Sequence, residues 1–293
     1  MVFINEEGKF NKNSYLIDGL IFRLPKQLSV YIIENGGERL MIDTGVAVSA
    51  RKVVTKLKEL DLFPIHKMVI THSHWDHTQG YTKLRKYMPD FEVYAAESAL
   101  DNLKNPERLN DIFEYNVDPI EDAAPLKEGD RIDLQGLELE IINLFGHTQD
   151  SIGLIDWTNN TIYTGDAFAS KIDRKTHQPI LMPPDFDEHE LLKSIEKVRK
   201  LKDELDSICL NHFGVWTDDD CNKLIDGAEE LHFTTKNAII KWYQENPSAK
   251  YIAEKYHETF IPNSTVHTKE NIMGFELVME WVINGLKTSG FVK

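Results

Sequence analysis

Three histidines and an aspartate lie within residues 72–77, in the run THSHWDHTQG (71–80). Neutral imidazole and carboxylate are preferred ligands of zinc and similar first-row ions. The run directly follows a short apolar segment, 66–71, that is typical of a buried strand. Alternate residues of an extended chain point to one side, so His72 and His74 can face one ion, and Asp76 and His77 can face a second after a turn. Only eleven histidines occur in the chain, so the clustering is improbable by chance and favours a metal site over a polar loop.

The rest of the first two thirds alternates between strand and helix patterns, which indicates an α/β fold. Two β-branched segments, 29–34 and 39–44, flank the turn sequence Asn35-Gly36-Gly37 and predict a hairpin. The spacing of apolar residues predicts helices over 48–60, 79–87 and 188–202. Further strands are predicted at 91–95, 137–144, 151–155, 161–164 and 206–210, with a mixed, partly helical region at 98–125 and a proline-containing loop at 170–185.

From residue 217 onward the pattern is almost wholly helical, interrupted at Pro247 and Pro262. We therefore predict an α/β catalytic body over residues 1–214 and a helical extension over 215–293. One face of the last predicted helix is apolar and has Trp281 beside it; its members are Ile272, Phe275, Val278, Met279, Val282 and Leu286. This face can pack on the body, or the extension can roof the metal cleft or form a dimer contact.

Composition excludes some partners. The net charge of −15 disfavours nucleic acids and anionic membranes, whose phosphates such a surface would repel. No apolar run is long enough for a membrane span, and the N-terminus lacks the pattern of a secretory signal, so we expect a cytoplasmic protein. Cys209 and Cys221 form neither a disulfide framework nor a cysteine metal motif.

The HxHxDH run resembles the signature of the metallo-β-lactamase superfamily, and four further segments resemble its other motifs in the same order. These segments are MIDTG (41–45), GHT (146–148), YTGD (163–166) and LNH (210–212). The distances from His77 to His147, Asp166 and His212 proceed in steps of 70, 19 and 46 residues, as in that superfamily. The resemblance covers residues 1 to about 214 and implies an αββα four-layer sandwich, here with a C-terminal helical extension.

The resemblance also implies a ligand set for two divalent metal ions, zinc before iron or manganese. His72, His74 and His147 would hold the first ion, Asp76, His77 and His212 the second, and Asp166 would bridge both. Asp43 of MIDTG would support the metal loop. Each residue alone has an ordinary alternative, such as a turn or an interior histidine, but five histidines and two carboxylates buried together would be costly without cations.

A hydroxide bridging two such ions can attack an electrophilic carbonyl, with Asp76 or Asp166 transferring the proton to the leaving group. This predicts a hydrolase of an ester, thioester or lactone of a small molecule. No GxSxG or catalytic-cysteine motif occurs in the chain. THSHWDHTQG resembles most the glyoxalase II group and its relatives. Asp166 departs from the metallo-β-lactamases proper, and the lack of a tyrosine between Asp166 and His212 departs from the homoserine-lactone lactonases.

Other functions remain open at this point. The persulfide dioxygenases resemble glyoxalase II but use one iron, and the same superfamily contains phosphodiesterases and nucleases. A non-catalytic metal-binding module is a fourth interpretation. Four of the histidines outside the motifs, His66, His177, His189 and His232, have no ligand spacing and are interpreted as surface or packing residues, although His177 could face the site.

Overall fold

The computed structural model describes residues 3–268 and 272–293. The strands of this part of the chain are β1 (Phe3–Ile4), β2 (Gly8–Lys9), β3 (Ser14–Asp18), β4 (Ser29–Asn35), β5 (Glu38–Ile42), β6 (Lys67–Ile70), β7 (Glu92–Ala96), β8 (Ala123–Leu126), β9 (Arg131–Leu134), β10 (Leu137–Asn143), β11 (Ile152–Asp156), β12 (Thr161–Tyr163), β13 (Ser207–Cys209) and β14 (Val215–Thr217). Its α-helices are α1 (Ala50–Glu59), α2 (Trp75–Thr78), α3 (Tyr81–Tyr87), α4 (Leu100–Lys104), α5 (Glu107–Phe113), α6 (Glu188–Lys200), α7 (Asp218–Glu245), α8 (Ala249–Phe260) and α9 (Ile272–Thr288).

The strands form two seven-stranded mixed sheets. One runs β2-β3-β4-β5-β6-β7-β8, with parallel pairing from β5 to β8, and the other runs β1-β14-β13-β12-β11-β10-β9, with only β12 and β13 parallel. The predicted hairpin is confirmed: β4 pairs with β5 from Tyr31↔Ile42 to Asn35↔Glu38. Gly36 and Gly37 form its two-residue turn with φ of 60° and 88°, which suits glycine.

Side-chain alternation along the second sheet separates the layers. Ile141, Leu154 and Tyr163 point into the first core, which the two sheets share. Their neighbours Ile142, Ile155 and Ile162 belong to a second core, which is formed with α6, α7, α8 and α9. Successive strand residues face opposite sides, so each strand serves two cores. Residues of α1 and α3 pack in the first core from the β5–β6 side. The αββα sandwich predicted from the sequence is thus confirmed.

The structure differs from the prediction in several short elements. The predicted helix over 79–87 begins only at Tyr81, and a separate turn, α2, carries Asp76 and His77. The chain is held between the two helices because the Gly80 N–H donates to the carbonyl of Gly45 at 2.8 Å. Strands such as β8, with the sequence AAPL, were not predicted because short edge strands carry too little alternation to stand out.

The helical extension is present as α7, α8 and α9. Strand β14 lies just beyond the predicted boundary at 214 and still belongs to the sheet, pairing with both β1 and β13. The division into a body and an extension therefore stays a prediction. Among the described residues, no helix is both long and apolar enough to cross a membrane.

Helix α9 lies directly against the loop between β12 and α6. A Cβ atom on Gly285 would be 2.7 Å from the carbonyl oxygen of Leu181. This is closer than van der Waals contact allows, so only glycine lets the helix approach the loop backbone this far. Gly285 therefore sets the distance between the C-terminal helix and the loop.

We predict that Gly285→Ala destabilises the fold by about 1–3 kcal/mol, because the new methyl group must push the helix away from Leu181. Gly227→Ala is the matched control: this glycine lies within α7, and a Cβ added to it would have no atom within 4 Å, so alanine should stabilise by about 0.5–1 kcal/mol. Urea unfolding of the three proteins measures both changes. Equal effects at the two positions would contradict the close packing of α9.

Candidate metal centre

The candidate site lies at one edge of the sandwich, where several loops leave the strands. His72 follows β6, His147 lies between β10 and β11, Asp166 follows β12, and His212 lies between β13 and β14. His74 is the residue before α2, so the helix turn directs Asp76 and His77 away from it. Both sheets thus contribute to one site.

All seven side chains singled out from the sequence meet there in two adjoining groups. His72, His74 and His147 form the first group, and Asp76, His77, Asp166 and His212 form the second. Within each group the candidate ligand atoms lie within 4.8 Å of one another. The division agrees with the one that the resemblance implied.

Asp166 lies between the two groups. Its Oδ2 atom is 3.0 Å from His212 Nε2 and 3.3 Å from His77 Nε2, and it is 3.8 Å from His147 Nε2. In the first group, His74 Nδ1 is 3.0 Å from His147 Nε2. The carboxylate of Asp166 therefore lies within 4 Å of ring nitrogens from both groups.

Hydrogen bonds at the outer ring nitrogens fix three of the imidazoles. His147 Nδ1 donates to the carbonyl of Ile180 at 2.8 Å, and His212 Nδ1 donates to the carbonyl of Gln27 at 2.7 Å. His77 Nδ1 lies 2.9 Å from Asp43 Oδ2. Because these oxygens accept the outer proton, each ring is oriented with its Nε2 toward the centre of the site.

Asp43 holds the metal loop to the sheet. Its Oδ1 accepts the Thr71 N–H at 2.7 Å, and its Oδ2 accepts the Thr71 hydroxyl at 2.8 Å and also contacts Asn211 Nδ2. Gly165, with φ of 55°, lies so close to Thr71 that a Cβ would be 2.8 Å from its Oγ1. The loop that carries Asp166 can therefore approach the metal loop only because residue 165 is glycine.

Asp150 supports the first group as Asp43 supports the second, and the sequence interpretation missed it. Its carboxylate accepts the Ser73 hydroxyl at 2.6 Å, the Thr148 hydroxyl at 2.7 Å and the Asn102 amide at 3.0 Å. It thereby ties the loop of His72 and His74 to the loop of His147. Its position three residues after His147 is the signal that could have identified it.

The first group is electrically neutral. Burial, together with the neighbouring His77 and His74, lowers the pKa of His72 well below its usual value. Burial and the nearby His147 lower the pKa of His74 to about 3, and burial also lowers the pKa of His147. Neutral imidazoles are the form that binds metal ions.

The second group contains paired charges. Burial lowers the pKa of His212, but Asp166 and Asp76 outweigh it and raise the pKa to about 10. Burial raises the pKa of Asp166, but His212 and His77 outweigh it and hold the pKa well below its usual value. Burial likewise raises the pKa of Asp76, and His77 and His212 outweigh it and hold that pKa well below its usual value. The two carboxylates are therefore ionised.

The unpartnered atoms of the site test whether these residues fit metal ions. Nε2 of His72, Nε2 of His77 and Oδ1 of Asp166 are buried and make no hydrogen bond. Buried polar atoms without partners are rare because they are costly. Here they belong to two groups of nitrogen and oxygen donors of the kind that zinc binds, so the residues fit two adjoining cations.

The sequence of this chain matches a known protein family. The profile described as Metallo-beta-lactamase superfamily covers residues 23–210, which is more than half of the chain. This chain belongs to the metallo-β-lactamase superfamily.

Within the superfamily, its relatives are distant. An atrochrysone carboxyl ACP thioesterase of Aspergillus fumigatus is 26% identical over 161 residues, which are 55% of this chain and 34% of the thioesterase. A hydroxyacylglutathione hydrolase of Aeromonas hydrophila is 28% identical over 141 residues, which are 48% of this chain and 46% of the hydrolase. The alignments thus span less than half of these relatives. A metallo-beta-lactamase family protein of Thermus thermophilus has the same fold, with a TM-score of 0.66, 17% identity and coverage of 94% of this chain and 93% of that one.

The metal centre of this superfamily member opens into a cleft that encloses about 780 Å³ of space, its open mouth included. Gly274, Val278 and Trp281 of α9 line the cleft. Phe275, Val278 and Met279 of the same helix are buried in the second core. Gln27, Gln178 and His267 line the cleft too and were not singled out from the sequence.

Three of the histidines interpreted as surface or packing residues, His66, His177 and His232, lie away from the cleft. His66 Nδ1 accepts the Arg39 N–H at 3.1 Å, and His232 Nε2 lies 2.8 Å from Glu188 Oε1. His177 does not line the cleft: its ring packs on Tyr256 and Phe260, with centroids 5.7 and 6.0 Å apart. Burial and the charge of Lys171 lower the pKa of His177 to about 4, and its Nε2 has no hydrogen-bond partner.

We predict that Asp43→Asn weakens metal binding about 10–100-fold, since an amide has only one acceptor oxygen and cannot accept from both Thr71 and His77 as the two carboxylate oxygens do. Asp156→Asn is the matched control, because Asp156 is equally buried but bonds Thr158 and Asn159 instead of site residues. Competition with a chromophoric zinc chelator measures both affinities. An unchanged affinity in Asp43→Asn would show that Asp43 does not support the site.

We predict that His177 makes the fold less stable in acid. Its folded pKa of about 4 lies below the unfolded value near 6.5, so the unfolded chain binds a proton first and stability is lost as pH falls from 6.5 to 4. His177→Phe removes this group, so the stability of wild type relative to the variant should drop by about 3 kcal/mol over that range. Urea unfolding at several pH values measures the difference. A difference that stays constant with pH would refute the assignment.

Proposed function

We propose that this chain is a metal-dependent hydrolase that cleaves an ester, thioester or lactone bond of a small molecule with water activated between two metal ions. The observation that carries the proposal is the meeting of seven ligand-type side chains in two adjoining groups that face an open cleft. An open site with two cations is chiefly a hydrolytic device.

Two bound divalent cations, zinc before iron or manganese, would supply a lowered pKa for the attacking water and a positive charge for the carbonyl oxygen. The first group provides three neutral nitrogens for this purpose, and the second provides nitrogens and ionised carboxylates. The outer hydrogen bonds to Asp43, Ile180 and Gln27 keep the rings oriented while substrates enter and leave.

Asp166 and Asp76 are the residues placed to move protons. Both are ionised, and Oδ1 of Asp166 is free of hydrogen bonds to the protein. In the proposed reaction a carboxylate oxygen of Asp166 or Asp76 accepts the proton that the attacking water loses. The same carboxyl group then protonates the leaving alkoxide or thiolate, so that one acid and one alcohol or thiol result.

The protein supplies no competing nucleophile from its cysteines. Cys209 and Cys221 are buried, and burial raises the pKa of the Cys209 thiol well above its usual value and that of Cys221 to about 12. A thiol that is not ionised is a poor nucleophile. The names of the two sequence relatives, a thioesterase and a hydroxyacylglutathione hydrolase, also favour acyl-bond hydrolysis.

We predict two zinc ions per chain in zinc-loaded protein, a higher melting temperature than in chelator-treated protein, and hydrolysis of simple esters or thioesters. His74→Ala removes one of three nitrogens of the first group and should lower kcat/KM by at least about 100-fold. His189→Ala, at an exposed histidine away from the site, is the matched control and should leave both activity and metal content unchanged.

Elemental analysis by mass spectrometry, thermal unfolding and a colorimetric panel of esters, thioesters, lactones and phosphodiesters provide the measurements. One iron per chain, with oxygen consumed on a persulfide and no ester cleaved, would replace the proposal with a dioxygenase. Cleavage of phosphodiesters alone would replace it with a phosphodiesterase or nuclease.

A further inference from the structure

The wall of the cleft beyond the metal centre is apolar. Its charged or chargeable members belong to the metal groups, apart from His267, and no lysine or arginine occurs among the lining residues that the structure describes. Most of the lining residues outside the metal groups are aromatic or aliphatic, and the polar ones are Gln27, Gln178 and His267.

Four of these residues form a continuous aromatic wall: Phe22, Trp75, Phe113 and Trp281. The Trp281 ring lies 5.5 Å from Phe113 and 6.3 Å from Trp75, and Phe22 lies 5.8 Å from Trp75. Phe113 also contacts the ring of His74, with centroids 4.9 Å apart. The wall therefore runs from the exposed Phe22 at the surface to a residue of the first metal group.

The aromatic wall is rigid at its centre. Trp75 stacks on Tyr115 with ring centroids 3.8 Å apart and an interplanar angle of 7°. Trp75 is also part of the metal loop, between His74 and Asp76, so the same turn positions the metal groups and the wall. An aromatic surface held in this way binds an apolar group without first being ordered.

Helix α9 continues the lining of the cleft from Trp281. Gly274, Val278 and Trp281 are spaced i, i+4 and i+7, so they share one helical face, and all three line the cleft. The close approach of Gly285 to Leu181 holds this face in place. A Cβ added to Gly274 would have no atom within 4 Å, which leaves room on this face at the mouth.

The polar groups of the wall are uncharged and partly satisfied by each other. Gln178 Nε2 lies 2.6 Å from His267 Nε2, and burial lowers the pKa of His267 to about 4, so it is neutral near pH 7. A charged substrate group placed against this wall would lose its water without gaining a partner of opposite charge, which is costly. An alkyl chain there would gain free energy with every methylene group that it buries.

We infer that the cleft selects substrates whose acyl group is a neutral alkyl chain, bound along the aromatic wall and against Gly274 and Val278 of α9. The inference rests on the proposed function, because it names the substrate class of the same site. The scissile carbonyl would lie at the metal groups, and the chain would extend toward Phe22. Acyl groups that carry a charge along the chain are disfavoured by this wall.

The kinetic test uses zinc-loaded, full-length protein and the p-nitrophenyl esters of acetate, butanoate, hexanoate and octanoate. We expect kcat/KM to rise with chain length, by up to about fourfold per methylene that the cleft buries. Gly274→Leu should fill the mouth and lower kcat/KM at least tenfold more for octanoate than for acetate. Gly227→Leu, a helical glycine with equal free space outside the cleft, is the matched control and should preserve the wild-type series.

A binding test separates this inference from the proposed function. Titration of the tryptophan fluorescence with octan-2-one, with acetone as the short control, measures occupation of the wall without any bond cleavage. Octan-2-one should bind at least tenfold more tightly than acetone to wild type and to Gly227→Leu, and more weakly to Gly274→Leu. If no ester is cleaved but octan-2-one binds in this way, the proposed function fails and the apolar cleft stands.

Three kinetic results would overturn the inference. The first is a kcat/KM that does not depend on acyl length, the second is an equal kcat/KM for the octanoate ester and for a p-nitrophenyl ester whose acyl chain of similar length ends in a carboxylate, and the third is an equal effect of leucine at Gly274 and at Gly227. Equal affinity for octan-2-one and acetone would do the same without reference to catalysis.

Discussion

The buried carboxylate of Asp43 is the interaction on which the site depends. It lies at the end of β5 and accepts hydrogen bonds from the backbone and side chain of Thr71 at the end of the neighbouring parallel strand, β6. It also contacts His77 and Asn211, so one side chain joins the metal loop to both sheets. A buried charge needs several hydrogen-bond partners. The bonds that Asp43 makes to Thr71 and His77 therefore fix the position of the loop that carries His72, His74 and His77. The same loop supplies His74, Trp75 and Asp76 to the lining of the cleft.

Much of this arrangement could be predicted from the sequence because it is local. The HSHWDH run, the strand before it and the glycine turn of the β4–β5 hairpin are each specified by a few neighbouring residues, and the resemblance to a known superfamily supplied the distant partners His147, Asp166 and His212. The residues that were missed depend on tertiary contact. Asp150 supports the site only because the loop of Ser73 folds onto it, and Gln27 does so through a backbone carbonyl, which no sequence pattern reveals.

The C-terminal helices show a second limit of sequence interpretation. An apolar helical face indicates burial but not the surface that covers it, so packing and roofing could not be separated for α9. The structure shows that they are compatible. Phe275 and Met279 point into the second core, whereas Gly274 and Trp281 face the cleft, and Val278 belongs to both. One helix is therefore fixed by one side and shapes the cleft with the other.

This dual role explains how a common metal centre can be given its own substrate preference. The ligands and their supporting carboxylates leave little freedom, because each buried donor needs a partner at a set distance. The residues of the aromatic wall are less restricted in identity. Trp75 is the one member of this wall inside the metal loop, and Phe22, Phe113 and Trp281 come from three separate segments. A change at Trp281 or Gly274 alters the shape of the wall without touching an atom that holds a metal-binding residue. In the proposed function, chemistry and selectivity are carried by different parts of the chain that meet at His74, at Trp75 and at Gln27, which lines the cleft and accepts a hydrogen bond from His212.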